Sequence, residues 1–164
     1  MPRTIKPTRQ SGLKAGQIVR IPIDECTHTY GRLLSIEPYL ALYDCRTEGV
    51  DPSSLEIVSS PVLFVVAAVY QAPVKEGRWV PLEVVPLTDF NVKIPLTFHQ
   101  PVGRPDKLSI NDGSGEFRPA TPAECEGLER STVWVPWALE ERLSDHYQGK
   151  RNHFLEIFGE HPEA

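Results

Sequence analysis

The chain has 164 residues, 40% of them hydrophobic and 24% charged. That is the length of one ordinary domain and the composition of a folded protein, which excludes disorder along the whole chain. Its formal net charge of −5 is uneven: residues 1–20 carry five basic residues and no acid, and the remainder carries 12 basic and 22 acidic residues. An acidic body repels phosphate backbones, so nucleic-acid binding is disfavoured, whereas a basic protein partner is attracted. Solubility alone would also explain the charge.

Residues 1–12 hold Pro, Thr, Ser, Arg and Lys without hydrophobic periodicity and read as a flexible basic tail. Residues 13–164 read as a single globular domain, with a β core over about 16–118 and a helical part over about 121–158. The 16 prolines and 11 glycines favour many short elements over long ones. From Gln17 to Ile23, apolar residues alternate with Arg20 and Pro22, the pattern of a half-buried strand, with Pro22 placing it at an edge or a bulge. After a polar turn at Asp24–Thr27, the strands Thr29–Ile36 and Tyr39–Asp44 flank Glu37-Pro38, a connection short enough for an antiparallel hairpin. Thr47–Ser54 reads as a loop.

Val62–Tyr70 is apolar at every position and reads as a central strand covered on both faces; a short buried helix gives a similar pattern, but the β-branched content favours strand. The run from Pro61 to Tyr70 is about half the roughly 20 residues that cross a bilayer. Trp79–Leu87 is a further strand, Pro95–Pro105 an irregular passage, and Asn111–Gly115 a hairpin turn between Lys107–Ile110 and Glu116–Arg118. Thr121-Pro122-Ala123-Glu124 starts a helix with a cap, a first-turn proline and an acid three positions on. Trp134–Tyr147 has helical spacing, with Leu139, Leu143 and Tyr147 on one side and Glu141, Ser144, Asp145 and Gln148 on the other. Phe154, Leu155 and Phe158 close a last turn. The fold class is therefore α+β, mainly β: an antiparallel, barrel-like core followed by C-terminal helices.

Catalytic chemistry finds little footing. Cys26, Cys45 and Cys125 are an odd number at wide spacing, which fits reduced thiols better than a disulfide framework. With no apolar signal-peptide run at the N-terminus, the protein is expected in the cytoplasm. Cys26 with His28, and His146 with His153, lack the second pair a structural zinc site needs. Cys45 beside Asp44, with His99 elsewhere, could form a Cys/His site, but the sequence does not show that they meet, and Cys45 reads more simply as the end of a buried strand. No cofactor, metal or catalytic residue is assigned. Trp79, Trp134 and Trp137 read as core residues more than as interface anchors. Two acidic groups are expected at the surface: Asp44, Glu48 and Asp51 around one loop, and Glu140, Glu141 and Asp145 on the long helix.

Leu13 to about Pro95 resembles the immunity protein 26 family of bacterial polymorphic toxin systems. The resemblance is carried by Gly16-Gln17-Ile18-Val19-Arg20-Ile21-Pro22, Tyr30-Gly31-Arg32-Leu33-Leu34, Leu42-Tyr43-Asp44, Pro61-Val62-Leu63-Phe64-Val65 and Gly77-Arg78-Trp79. It implies a compact, mostly β, barrel-like domain that binds and neutralises a cognate bacterial toxin, with no catalytic residues to carry over. The basic partner suggested by charge points to a nuclease toxin, whose substrate groove must be basic. A small β-barrel adaptor for a peptide or host protein is the alternative, and an enzyme using Cys45 or a histidine a third. The two acidic groups are the expected partner-binding residues.

Overall fold

The computed structural model describes residues 12–88 and 92–158. The expected basic tail lies outside these residues except for Gly12, and so does the side chain of Phe158.

The alternating segment forms strand β1 (Gln17–Pro22), joined by a turn to β2 (Thr27–Leu33) and then to β3 (Tyr39–Glu48). Helix α1 (Ser54–Ser59) leads into β4 (Val62–Ala68), and α2 (Gln71–Lys75) into β5 (Val80–Val84). Short strands β6 (Thr97–His99), β7 (Ser109–Asn111) and β8 (Phe117–Pro119) follow. Next come α3 (Pro122–Cys125), β9 (Glu129–Arg130), β10 (Val133–Trp134), α4 (Pro136–Tyr147) and α5 (His153–Phe158).

The strands make two mixed sheets, one ordered β10-β4-β3-β2-β1-β5 and one β8-β7-β6-β9. All neighbours are antiparallel except β10 with β4 and β6 with β9. Among the described residues the larger sheet does not close into the expected barrel. Its edges, β5 and β10, each pair on one side, and β10 is only two residues long.

Both faces of the large sheet are covered. On one, Val19, Ile21, Leu33, Leu40, Leu42 and Trp79 pack with Trp134, Leu139 and Leu143 under α4. On the other, Ile18, Tyr30, Ala41 and Tyr43 pack with Ile57 of α1 and with Leu82, Val85 and Ile94. The smaller sheet has its own core of Phe98, Leu108, Ile110 and Cys125. The strand expected at Val62–Tyr70 is present, but its cover is graded. Val62 is exposed, the next residues are half-buried, and Val66 and Ala68 are buried. The short edge strand β10 pairs only with Ala67 and Ala68, so among the described residues the Val62 end of β4 has a strand neighbour on one side alone.

Local chemistry explains the glycine that opens β1. Gly16 has φ +85°, and a β-carbon there would sit 2.3 Å from the Val85 carbonyl oxygen, so only glycine allows the two chain segments to meet. The Thr121 cap is present: its hydroxyl accepts from the Glu124 N–H, and the Glu124 carboxylate answers the Thr121 N–H at 2.8 Å. A second such box, Ser53 with Glu56, starts α1 inside the segment expected to be loop.

Candidate partner-binding surface

The first acidic group divides in the structure. β3 runs on past Asp44 to Glu48, so both residues stand on a strand and not on a loop, and both are exposed. Arg46 lies between them with its guanidinium 5.0 Å from the centre of the Tyr147 ring. Asp51 has a different task. Its carboxylate accepts from Arg20 at 2.9 Å and from the Tyr30 hydroxyl at 2.7 Å, while Tyr30 also meets the Thr47 hydroxyl at 2.6 Å. Burial pushes the Tyr30 phenol up to about 12. Asp51 thus holds the loop after β3 against the sheet, and its charge is largely spent within the fold.

The helical group divides in the same way. The Glu140 carboxylate, 18% exposed, takes hydrogen bonds from Arg78 at 2.6–3.0 Å and from the indole N–H of buried Trp79 at 2.7 Å. It fastens the first turns of α4 to the Gly77-Arg78-Trp79 segment. Glu141 is 41% exposed and lies 3.2 Å from Nδ1 of His153 on α5. Asp145 accepts from buried Asn152 at 2.9 Å, joining α4 to the start of α5. Asp44, Glu48 and Glu141 therefore remain the most available of the six acids.

A turn connects the two groups. Asp24 and Glu25, between β1 and β2, are exposed. The Asp24 carboxylate accepts from the N–H groups of Cys26 at 2.8 Å and Thr27 at 2.7 Å, and these bonds hold its carboxyl below the usual carboxylate range. Thr27 pairs with Glu48 across the sheet. On its other side Asp24 lines a groove of about 430 Å³ with Pro22, Ile23, Arg78, Trp137, Glu140, Glu141 and Ser144. Trp79 and Trp134 are buried as expected of core residues, but Trp137 is 57% exposed. The helical spacing carried that signal: position 137 shares a face with 141 and 144, opposite Leu139 and Leu143.

The Cys45 thiol is not an activated nucleophile. Burial pushes the Cys45 thiol up, with the nearby carboxylates of Glu56 and Asp44 adding to the effect; nucleophilic cysteines require the opposite shift. His99 is on β6 of the smaller sheet, against Phe117, whereas Cys45 is on β3 of the larger one. Among the described residues no three His, Cys, Asp or Glu side chains gather into a metal-binding group, and no helix is long and apolar enough to cross a membrane.

The motif residues named above are mostly occupied by the architecture. Arg20 and Tyr30 hold Asp51, Arg32 donates to the Val85 and Pro86 carbonyls at 2.6 and 2.8 Å, and Arg78 and Trp79 hold Glu140. They specify a scaffold on which the exposed acids stand. No curated protein and no solved structure matches the chain significantly. The family model for immunity protein 26 does match, over residues 14–107, more than half of the chain. The scaffold residues and that match together place this chain in the immunity protein 26 family.

Proposed function

We propose that the protein binds a cognate bacterial toxin and neutralises it by occlusion, without chemistry of its own. Family membership carries this reading. The surface supports it. Asp24, Glu25, Asp44 and Glu48 are exposed, Glu141 is substantially so, and all sit on short connections or on elements pinned by internal ion pairs. A rigid, acidic surface favours rapid encounter with a basic partner and adds little ordering cost on binding. A nuclease toxin fits, because its substrate groove must be cationic. Action is expected in the cytoplasm, where a producing cell meets its own or a sibling's toxin.

The test is complex formation with the toxin domain of a toxin gene found beside this one. Mixed at equal concentration, the two purified proteins should elute together as a one-to-one complex in size-exclusion chromatography with light scattering. Separate elution at micromolar concentration would overturn the reading.

A further inference from the structure

We propose that the groove between the β1–β2 turn and α4 receives an arginine side chain from the toxin, stacked on Trp137 and paired with Glu141. This rests on the immunity reading and names the contact face for it.

The groove is built from one face of α4. Trp137, Glu140, Glu141 and Ser144 follow the i, i+3, i+4, i+7 spacing that aligns side chains along a helix, and all four line it opposite Pro22, Ile23 and Asp24. Its frame is rigid. Glu140 ties α4 to Arg78 and Trp79, and the Asp24 carboxylate is fixed by two backbone N–H groups.

Trp137 is the unusual component. A tryptophan 57% exposed on the face opposite the helix's own core residues adds nothing to that core. It is nevertheless held in place, its ring meeting Phe154 edge-on with centroids 5.2 Å apart. A pre-positioned indole loses little side-chain entropy when a partner covers it, and buried tryptophans are frequent binding hot spots.

Charge selects the occupant. Arg78 is the cation in the lining, and Glu140 already grips it through two nitrogens. Glu141, which also meets Nδ1 of His153 at 3.2 Å, and Asp24 then leave the groove lining net negative. An aromatic face beside a carboxylate suits a cation, and a planar guanidinium can stack on the ring while bonding the carboxylate in a fork, which a lysine ammonium cannot. The Pro22 and Ile23 side of the groove suits the aliphatic stem of the same arginine.

The experiment measures the affinity of the full chain for the toxin domain of a toxin gene found beside its own. Trp137→Ala and Glu141→Lys should each weaken binding about tenfold or more, with circular dichroism and melting behaviour unchanged. Glu116→Lys, an equal charge change at an exposed position in the smaller-sheet segment, should change affinity by no more than about twofold. If Trp137→Ala and Glu141→Lys bind like the unmodified protein, the groove is not the contact face and the immunity reading stands. If Glu141→Lys and Glu116→Lys weaken binding alike while Trp137→Ala does not, only net charge matters and the groove assignment falls. If the unmodified protein forms a dimer that Trp137→Ala dissociates, the occupant is a second copy of this chain and the proposal is overturned. If the unmodified protein binds no toxin, the immunity reading fails, and this proposal with it.

Discussion

Glu140 shows how one residue can look like a contact and serve as a fastener. Its sequence neighbours mark it as part of an acidic helix face, yet its carboxylate is the acceptor for the indole N–H of a fully buried Trp79. Glu140→Ala strands that N–H and frees Arg78, so it should cost about 1–3 kcal/mol. Glu141→Ala, at a more exposed position, should cost within about 0.5 kcal/mol. Urea denaturation of the two variants compares them directly, and equal losses would show that Glu140 has no anchoring role. The capping acids set a pH dependence at the same scale. The Thr121 N–H, followed by Arg118, holds the Glu124 carboxyl below its ordinary value of 4.5. A depressed acid stabilises the fold fully above its unfolded value and loses that contribution as the pH falls through its folded value. The melting temperature of the unmodified protein should therefore exceed that of Glu124→Gln by a constant margin from pH 7 down to about pH 5, and the margin should shrink as the pH falls below 4.5 and through the folded value. A margin unchanged by acid would remove the capping role.

Among the elements, α4 depends on a clamp that reaches both sheets. Arg142 lies buried beneath it, bonded twice to Glu129 of β9 at 2.5 and 3.2 Å. The same guanidinium covers the Phe64 ring of β4 at 3.8 Å and the Trp134 ring of β10 at 4.8 Å. Glu129→Gln leaves that cation, 7% exposed, without a carboxylate, and should destabilise by about 3 kcal/mol, near the lower end for a broken buried pair because Glu129 is itself partly solvated. A loss under about 0.5 kcal/mol by thermal or chemical unfolding would deny the clamp a stabilising role. None of this is visible in local pattern. β1, the β2–β3 hairpin, β4, the β7–β8 hairpin and the Thr121 cap could be read from alternation and turn chemistry. β9 and β10 could not, because two residues carry no period. α1 announced itself through Ser53 and Glu56, a signal masked by the surrounding Gly, Asp and Pro. At the candidate surface, helical spacing identifies Glu141, whereas Glu48, expected on a loop, stands on the extended end of β3. The internal partners of Asp51 and Glu140 lie 31 and 62 residues away, and no local pattern links residues so distant.

The whole molecule divides into scaffold and surface. The motif residues hold strands and loops together, and exposed acids stand at the β1–β2 turn, the end of β3 and the outer face of α4, among other places. Exposed charges act chiefly on encounter rate, and salt screens them. Reversing Asp44 and Glu48 together to Lys should slow association with the toxin at low salt, and the deficit should shrink in 0.5 M salt, a concentration at which the screening length is only a few ångströms. Rates equal to the unmodified protein at both concentrations would remove acidic steering from the account. Neutralisation itself is tested most directly by titrating this protein into the toxin domain of a toxin gene found beside its own and following the toxin's activity on its own substrate. Occlusion predicts a linear fall that reaches zero at one equivalent of this protein. Full toxin activity in the presence of a large excess would contradict it.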